Sequence, residues 1–309
     1  MKINYLEIRR NYVNEELNYL AESFIDCQIA TEKIIGSEYS DFIALANLSK
    51  ELASFNRFTN VEVIDLWRKY RINKYIQRKY RLTPHYYKGF KEIVGLDNIY
   101  LCKKAQGFFC TFQFGDFNLI DYQLCKIFKT NVFLTRSKYL NISDLKKIKE
   151  DEIYPGLLFL DNFLCKRIST EDNNTTFLNL TFKSEAINLL CSLKKPLCLL
   201  IADKNRNGES RLVAYNLFKS IHVGQNKKQK LFTCILEPFN LKVRLYPHLW
   251  GLWDKLYTYE IRSEENLKFT KLEVDWFDND KSLGLNIKTG NILNLEKSTK
   301  SNLKVLERV

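Results

Sequence analysis

Residues 107–136 read GFFCTFQFGDFNLIDYQLCKIFKTNVFLTR, and this stretch decides the fold. The aromatic and apolar run Gly107–Gln113 predicts a buried strand. Leu119–Phe128 repeats apolar residues at helical spacing, and the short apolar run Asn131–Thr135 predicts a second strand. A strand, a helix and a strand in this order are typical of a βαβ unit with parallel strands.

The same alternation continues outward from this unit. Apolar runs that are rich in β-branched and aromatic residues predict further strands at Gly156–Leu160, Thr175–Phe182, Leu197–Ala202, Leu231–Glu237, Lys242–Tyr246, Leu256–Arg262 and Leu283–Ile287. Glu185–Leu193 predicts a second crossover helix. We therefore expect an α/β fold with a mixed central sheet flanked by helices.

The first part of the chain has a different pattern. Apolar residues three and four apart, as in Leu17–Phe24 and Ile43–Leu52, predict helices and require no strand. Val61–Arg81 predicts a further helix, ended by Thr83-Pro84, in which aromatic residues alternate with cations. The sequence thus predicts a helical N-terminal region at residues 1–105, with a basic helix at 66–81, and an α/β domain at residues 106–309.

Composition limits the classes of function. The net charge of +12 over 309 residues predicts an anionic partner, without choosing among nucleic acid, an anionic membrane face and an acidic carrier protein. No run approaches the roughly 18 apolar residues of a membrane-spanning helix, and the start resembles neither a signal peptide nor an anchor, so a cytoplasmic location is expected.

The eight cysteines form no C-x-x-C pair and are expected to be reduced. The three histidines have no second ligand at metal spacing, so no metal site is expected.

Two segments resemble a known family. Residues 87–136 hold a strand that ends in a motif before a helix, and the motif positions are Gln113, Phe114, Gly115, Asp116, Phe117 and Asn118. Residues 181–208 hold a helix that ends in Leu193-Lys194 and an apolar strand closed by Asp203. In this order the segments are similar to the late acyltransferases of lipid A biosynthesis, whose motif is of the type His-Phe-Gly-Asn-Trp-Glu. The resemblance covers about residues 87–248, and the family's N-terminal membrane helix has no counterpart.

The resemblance implies acyl transfer with an altered catalytic pair. In the family the motif's histidine takes a proton from the acceptor hydroxyl as it attacks an acyl thioester, and the motif's acid holds the imidazole. Here Gln113 and Asn118 occupy those positions, and an amide cannot accept a proton. An amine that is neutral in the site has a free lone pair, so the hypothesis is transfer to a small acceptor, preferably an amine. Gln113 and Asn118 would position groups, and Asp116 is the fallback base.

The remaining assignments follow from the same resemblance. The predicted substrate-binding residues are Phe114, Gly115, Asp203, Arg206 and His248. The acyl thioester, on an acyl carrier protein or coenzyme A, is a co-substrate, and no permanently bound cofactor is expected. The cations predicted to dock an acidic acyl carrier protein or anionic lipid at the inner face of a membrane are Arg68, Lys69, Arg71, Lys74, Arg78 and Lys79.

Plainer interpretations stay open at each position. Gln113–Asn118 also suits a strand-to-helix turn in which Asp116 or Asn118 caps the helix, and Asp203 also suits an Asx-type turn. The basic helix equally predicts a solvated cationic face, or tyrosines that stack on bases while cations meet phosphates. The alternatives to an enzyme are therefore a catalytically inactive relative that binds a carrier protein, a lipid or another protein, and a nucleic-acid-binding protein.

Overall fold

A computed structural model describes residues 39–53, 59–80, 89–128, 133–134, 156–166, 180–192, 195–217, 227–255, 261–262, 272–274, 276–277, 283–294 and 303–305. The sequence-predicted helix around Leu17–Phe24 and the helix end at Thr83-Pro84 lie outside these residues.

The described residues form helices and strands with the following bounds. The helices are α1 (Tyr39–Ala53), α2 (Asn60–Tyr80), α3 (Leu96–Lys104), α4 (Ile120–Phe128), α5 (Ser184–Ser192) and α6 (Lys227–Leu245). The strands are β1 (Glu92–Val94), β2 (Phe108–Thr111), β3 (Phe133–Leu134), β4 (Gly156–Phe159), β5 (Leu164–Lys166), β6 (Leu180–Phe182), β7 (Leu197–Lys204), β8 (Ser210–Asn216), β9 (Ile261–Arg262), β10 (Leu272–Val274), β11 (Trp276–Phe277), β12 (Leu283–Asn286), β13 (Asn291–Asn294) and β14 (Leu303–Val305).

The chain forms two compact units. One comprises Met1–Arg78 and Gly251–Val309, and the other comprises Lys79–Trp250. The second unit holds the sheet that the sequence places at the centre of the fold. The sequence had put a boundary at residues 105 and 106, within the loop between α3 and β2.

The sheet of the Lys79–Trp250 unit has six strands in the order β1-β8-β7-β2-β4-β3. All neighbouring strands are parallel except β7 and β8, which form an antiparallel hairpin. In the middle of the sheet Cys110 on β2 lies between Leu199 on β7 and Leu158 on β4. The expected mixed α/β fold is confirmed.

The central strands are apolar along their whole length because both faces of the sheet are covered. All four residues of β2 are buried, as are the first seven of β7. One face packs Phe109 and Leu200 against Ile99 of α3 and Leu124 of α4. Each fully buried side chain of this kind contributes about 1.5–3 kcal/mol to stability, so the crossover helices and the sheet fold together.

Several strand predictions are confirmed, and two are wrong. The runs predicted at Gly107–Gln113, Gly156–Leu160, Leu197–Ala202 and Leu283–Ile287 overlap β2, β4, β7 and β12, and the predicted helices at Leu119–Phe128 and Glu185–Leu193 overlap α4 and α5. The runs Leu231–Glu237 and Lys242–Tyr246, predicted as strands, instead belong to helix α6, which is continuous through Pro238. Its residues Leu231, Ile235, Leu236, Phe239 and Val243 are buried, and their spacing is helical rather than alternate.

The N-terminal region contains one strand that the sequence analysis did not expect. Glu92–Val94 forms β1 and pairs with β8. The predicted helix at Val61–Arg81 is confirmed as α2. Three described cysteines, Cys102, Cys110 and Cys198, are buried free thiols, and burial raises the pKa of Cys102 to about 12. Among the described residues, no helix combines the length and apolarity needed to cross a membrane.

The Met1–Arg78 and Gly251–Val309 unit turns the cations of α2 inward. Arg71 lies 3.0 Å from the carboxylate of Asp41 on α1, and Lys74 lies 2.5 Å from that of Asp254. The side chains of Arg71 and Lys74 are each 15% exposed. Lys69, by contrast, is exposed.

The other predicted docking residues of α2 are Arg68, Arg78 and Lys79. Arg68 pairs with Asp65 one turn earlier on α2. The side chains of Arg78 and Lys79 lie outside the described part of the chain. Two of the predicted docking cations, Arg71 and Lys74, therefore take part in the packing of this unit, whereas Lys69 is exposed.

Replacement of Arg71 tests whether its ion pair with Asp41 stabilises the fold. Arg71→Ala removes a cation that lies 3.0 Å from the buried Asp41 carboxylate, so we expect the free energy of unfolding to fall by about 2–3 kcal/mol. Lys69→Ala, on the exposed side of the same helix, is the matched control and should change it by less than about 0.5 kcal/mol. Urea denaturation followed by circular dichroism measures both, and equal effects would show that the ion pair is not structural.

Candidate functional site

The polar residues of the motif lie at one edge of the central sheet. Strands β2, β4 and β7 are parallel, so their carboxyl ends meet at that edge. The loop Gln113–Asn118 follows β2, Asp161 follows β4, and Asp203 lies near the end of β7. Ligands of open α/β sheets bind at this edge, which makes it the candidate site.

A glycine turn holds the loop against the sheet. Gly115 has a φ of +55°, a backbone conformation that favours glycine, and its N–H donates to the carbonyl of Leu249 at 2.8 Å. A Cβ at this position would lie 2.2 Å from the carbonyl oxygen of Ala202 on β7. The loop can approach the neighbouring strand this closely only because residue 115 has no side chain.

A buried carboxylate fixes the start of the loop. The backbone N–H of Gln113 donates to Oδ2 of Asp161 at 2.6 Å, and the indole N–H of Trp250 donates to Oδ1 at 3.3 Å. The Asp161 carboxylate therefore links the start of the motif loop to Trp250. In this contact it bonds the backbone of Gln113 and not the Gln113 side-chain amide.

The residues of the loop alternate between the interior and the surface. Phe114 and Phe117 are buried and make edge-on ring contacts with Phe239 and Phe159. The polar residues of the motif, Gln113, Asp116 and Asn118, are half-buried. Phe114 and Gly115, predicted to bind substrate, lie in the interior, while the predicted catalytic residues lie at the surface of the edge.

Asp116 belongs to a polar cluster with the β7–β8 hairpin. Its Oδ2 accepts hydrogen bonds from the ammonium of Lys204 at 2.8 Å and from the hydroxyl of Ser210. Lys204 Nζ also lies 3.2 Å from Ser210 Oγ. The side chains of Lys204 and Asp116 are 28% and 23% exposed, so solvent or a ligand reaches this cluster.

Asp203 has a different environment. Its carboxylate is fully buried and accepts two hydrogen bonds from the guanidinium of Arg211, at 2.8 and 2.9 Å. Lys242 on α6 approaches the same carboxylate at 2.6 Å. These hydrogen bonds raise the pKa of Arg211 above its ordinary value. The three side chains link β7, β8 and α6. Asp203 was predicted to bind substrate, but its carboxylate is fully buried and already paired with two cations.

The other predicted site residues have separate positions. Asn118 lies in a short 3₁₀ turn, and its Nδ2 atom is buried without a hydrogen-bond partner among the described residues. Arg206 is exposed in the tight turn between β7 and β8. His248 is half-buried in the 3₁₀ turn after α6, with its ring 6.4 Å from that of Tyr246. The structure thus brings Gln113, Asp116 and Asn118 to one edge.

Sequence reasoning missed Ser210, Arg211, Lys242 and Asp161. One signal for the first two was present: Asn207-Gly208 is a strong hairpin dipeptide, and the short apolar run Leu212–Tyr215 follows it. Lys242 was hidden because its segment was predicted to be a strand. Asp161 follows a predicted strand directly, as Asp203 does, and could have been found by the same rule.

Comparisons with known proteins do not assign the chain to a family. No protein-family model matches it, and no curated protein sequence matches it significantly. The candidate site must therefore be interpreted from its own chemistry.

Replacement of Gly115 tests the turn. Gly115→Ala places a methyl group against the Ala202 carbonyl in a left-handed conformation, so we expect a loss of about 3 kcal/mol or more in the free energy of unfolding. Gly208 also has a positive φ, but nothing lies within 4 Å of its Cβ position. Gly208→Ala should therefore cost only about 1 kcal/mol, from backbone strain alone. Thermal denaturation compares the two, and similar losses would contradict the close approach of loop and strand.

Replacement of Asp203 tests the buried ion cluster. Asp203→Asn leaves two cations around a neutral amide, and we expect it to reduce the free energy of unfolding by about 3 kcal/mol. Asp97→Asn, at an exposed position on α3, serves as the control and should cost less than about 1 kcal/mol. Urea denaturation provides the measurement, and a stable Asp203→Asn protein would remove the structural role.

Proposed function

We propose that the Lys79–Trp250 unit is an acyltransferase-like domain that takes an acyl group from a thioester and passes it to a small acceptor, preferably an amine. The observation that carries the proposal is the position of Gln113, Asp116 and Asn118. They are half-buried at the carboxyl edge of the parallel strands, on a loop held rigidly by Gly115 and Asp161. This is the edge at which α/β folds bind small molecules.

Side-chain amides suit the positioning of a thioester. The side-chain amide of half-buried Gln113 is a hydrogen-bond donor, and a thioester carbonyl becomes a stronger acceptor as the nucleophile adds. Donors held in advance by a rigid loop stabilise that developing oxyanion. In this mechanism the Gln113 amide binds the carbonyl oxygen and takes no proton, and Asn118 helps to position the loop.

The acceptor is inferred from the absence of an imidazole from the motif, which leaves a small hydroxyl acceptor without a strong base. A hydroxyl acceptor must lose its proton as it attacks, whereas a neutral amine attacks with its lone pair and loses a proton afterwards. Asp116 is the ionisable group of the motif, and its carboxylate can take that later proton. The proposed chemistry therefore forms an amide bond and releases a thiol.

The proposed donor is a thioester of an acyl carrier protein or of coenzyme A, in the cytoplasm or at the inner face of an anionic membrane. Both donors carry phosphates, and an acyl carrier protein is acidic. Exposed Arg206, at the tip of the hairpin that supports the Asp116 cluster, is a suitable cation for that charge.

One observation favours a second candidate, a catalytically inactive relative that binds an acylated carrier. Asp116 already accepts hydrogen bonds from Lys204 and Ser210, which an inactive site could retain simply to hold its loop. The same edge would then bind the thioester without consuming it. Consumption of the thioester separates the two candidates.

The test is release of free thiol from palmitoyl and decanoyl coenzyme A in the presence of an alkylamine. We expect thiol release with matching amide formation, lowered on the order of a hundredfold by Gln113→Ala and by Asp116→Ala. Asp97→Ala, which removes an exposed carboxylate elsewhere in the unit, should leave the rate unchanged. Because only the neutral amine attacks, the rate should rise with pH toward the amine pKa of about 10. Binding of the thioester without thiol release would favour the inactive relative.

A further inference from the structure

The carboxylate of Asp116 in the motif contacts a hydroxyl that comes from outside the motif, so the structure shows a possible nucleophile beside a base. The hydroxyl of Ser210 donates to the carboxylate of Asp116, and the ammonium of Lys204 contacts both. We propose that Ser210 is the nucleophile that first receives the acyl group, with Asp116 as its base and Lys204 as the adjacent cation. This inference rests on the proposed function, because it takes a thioester as the acyl donor.

The three side chains are held by separate elements. Ser210 opens β8 directly opposite Lys204 on β7, and opposed residues of an antiparallel pair point to the same face of the sheet. The carbonyl of Ser210 also accepts a hydrogen bond from the N–H of Lys91 at 2.9 Å. Asp116 comes from the loop after β2. Because separate elements of the fold hold the nucleophile and the base, the two groups lose little entropy when they react, as catalytic arrangements require.

Access distinguishes this cluster from the neighbouring one. Asp203, Arg211 and Lys242 surround a fully buried carboxylate that no substrate can touch. Ser210 is half-buried, and the side chains of its two partners are about a quarter exposed. The Ser210 hydroxyl is therefore oriented, and it belongs to a cluster that is partly exposed.

The first step transfers the acyl group to the enzyme. The Ser210 Oγ–H bond breaks as its proton moves to the Asp116 carboxylate, and Oγ bonds to the thioester carbonyl carbon. The carbon–sulfur bond then breaks, and the leaving thiolate takes the proton from Asp116. The products are an ester on Ser210 and a free thiol, and no oxidant or reductant is required.

The second step transfers the acyl group to the acceptor. A neutral amine adds to the ester carbonyl, and the carbon–Oγ bond breaks. Asp116 carries one amine proton to Oγ, which restores the serine hydroxyl and completes the amide. Lys204 stays protonated throughout, and its charge favours the serine oxygen while that oxygen is negative.

The experiment looks for the ester itself. Wild-type protein is mixed with palmitoyl or decanoyl coenzyme A without amine, quenched in acid, and examined by intact-mass and peptide mass spectrometry. We expect one acyl group, located on Ser210. Ser210→Ala should lose the adduct and lower amine-dependent turnover by about a hundredfold or more. Ser210→Cys should retain an acyl adduct as a thioester. Ser184→Ala removes an exposed serine of the same unit and is the matched control.

The outcomes separate this inference from the proposed function. If wild-type protein forms the amide while Ser210→Ala is equally active and Ser210 carries no acyl group, the inference is overturned and the function stands. If wild-type protein neither consumes thioester nor acquires an acyl group, both are overturned. If Ser210 is acylated but no amine accepts the group, the nucleophile is supported and the amine acceptor is overturned. Circular dichroism of each variant confirms that the chain is folded.

Discussion

The carboxyl edge of the sheet depends on the neutralisation of one buried carboxylate. Asp203 lies inside the sheet of the Lys79–Trp250 unit, where an unpaired charge would cost several kcal/mol. Arg211 supplies a two-pronged hydrogen bond from the adjacent strand, and Lys242 supplies a second cation from helix α6. The carboxylate therefore makes the positions of β7, β8 and α6 depend on one another. Because Lys204 and Ser210 are the next cross-strand pair, the ion cluster also determines where those two side chains stand.

Parallel pairing of buried strands then brings the other polar residues to the same edge. Residues after β2, β4 and β7 are far apart in the chain, but the sheet makes them neighbours. Gly115 allows the loop after β2 to lie directly on the Ala202 carbonyl, and this contact places Asp116 within reach of Lys204. Polar chemistry at the surface is thus a consequence of apolar packing beneath it. The phenylalanines of the motif secure the loop, and Asp116 between them remains partly exposed.

The sequence predicted the buried strands well because their signal is local. Runs such as Leu197–Ala202 are apolar on both faces and need no tertiary information to be recognised. Helix α6 was mistaken for strands because Pro238 interrupts its pattern, and tertiary packing outweighs the hydrogen bond that proline removes. The edge residues of the motif and Asp203 could be found from strand ends. Ser210 and Lys242 could not be assigned to the site in this way, since their roles arise from pairing across the sheet and from a helix whose position depends on it.

The proposed chemistry is consistent with the loss of an imidazole. A missing general base costs on the order of a hundredfold to ten-thousandfold in rate, or roughly 3–5 kcal/mol. Holding the reactants in contact can supply more than this, up to about 7–11 kcal/mol in well-oriented systems. A carboxylate is a weaker base than an imidazole, so it removes a hydroxyl proton poorly unless the resulting oxyanion is stabilised. Lys204 places a positive charge beside Ser210 Oγ, where that oxyanion would form, and the amide of Gln113 offers a donor for the carbonyl oxygen. A division of the reaction into two transfers, each assisted by these charges, compensates for the base that the motif lacks.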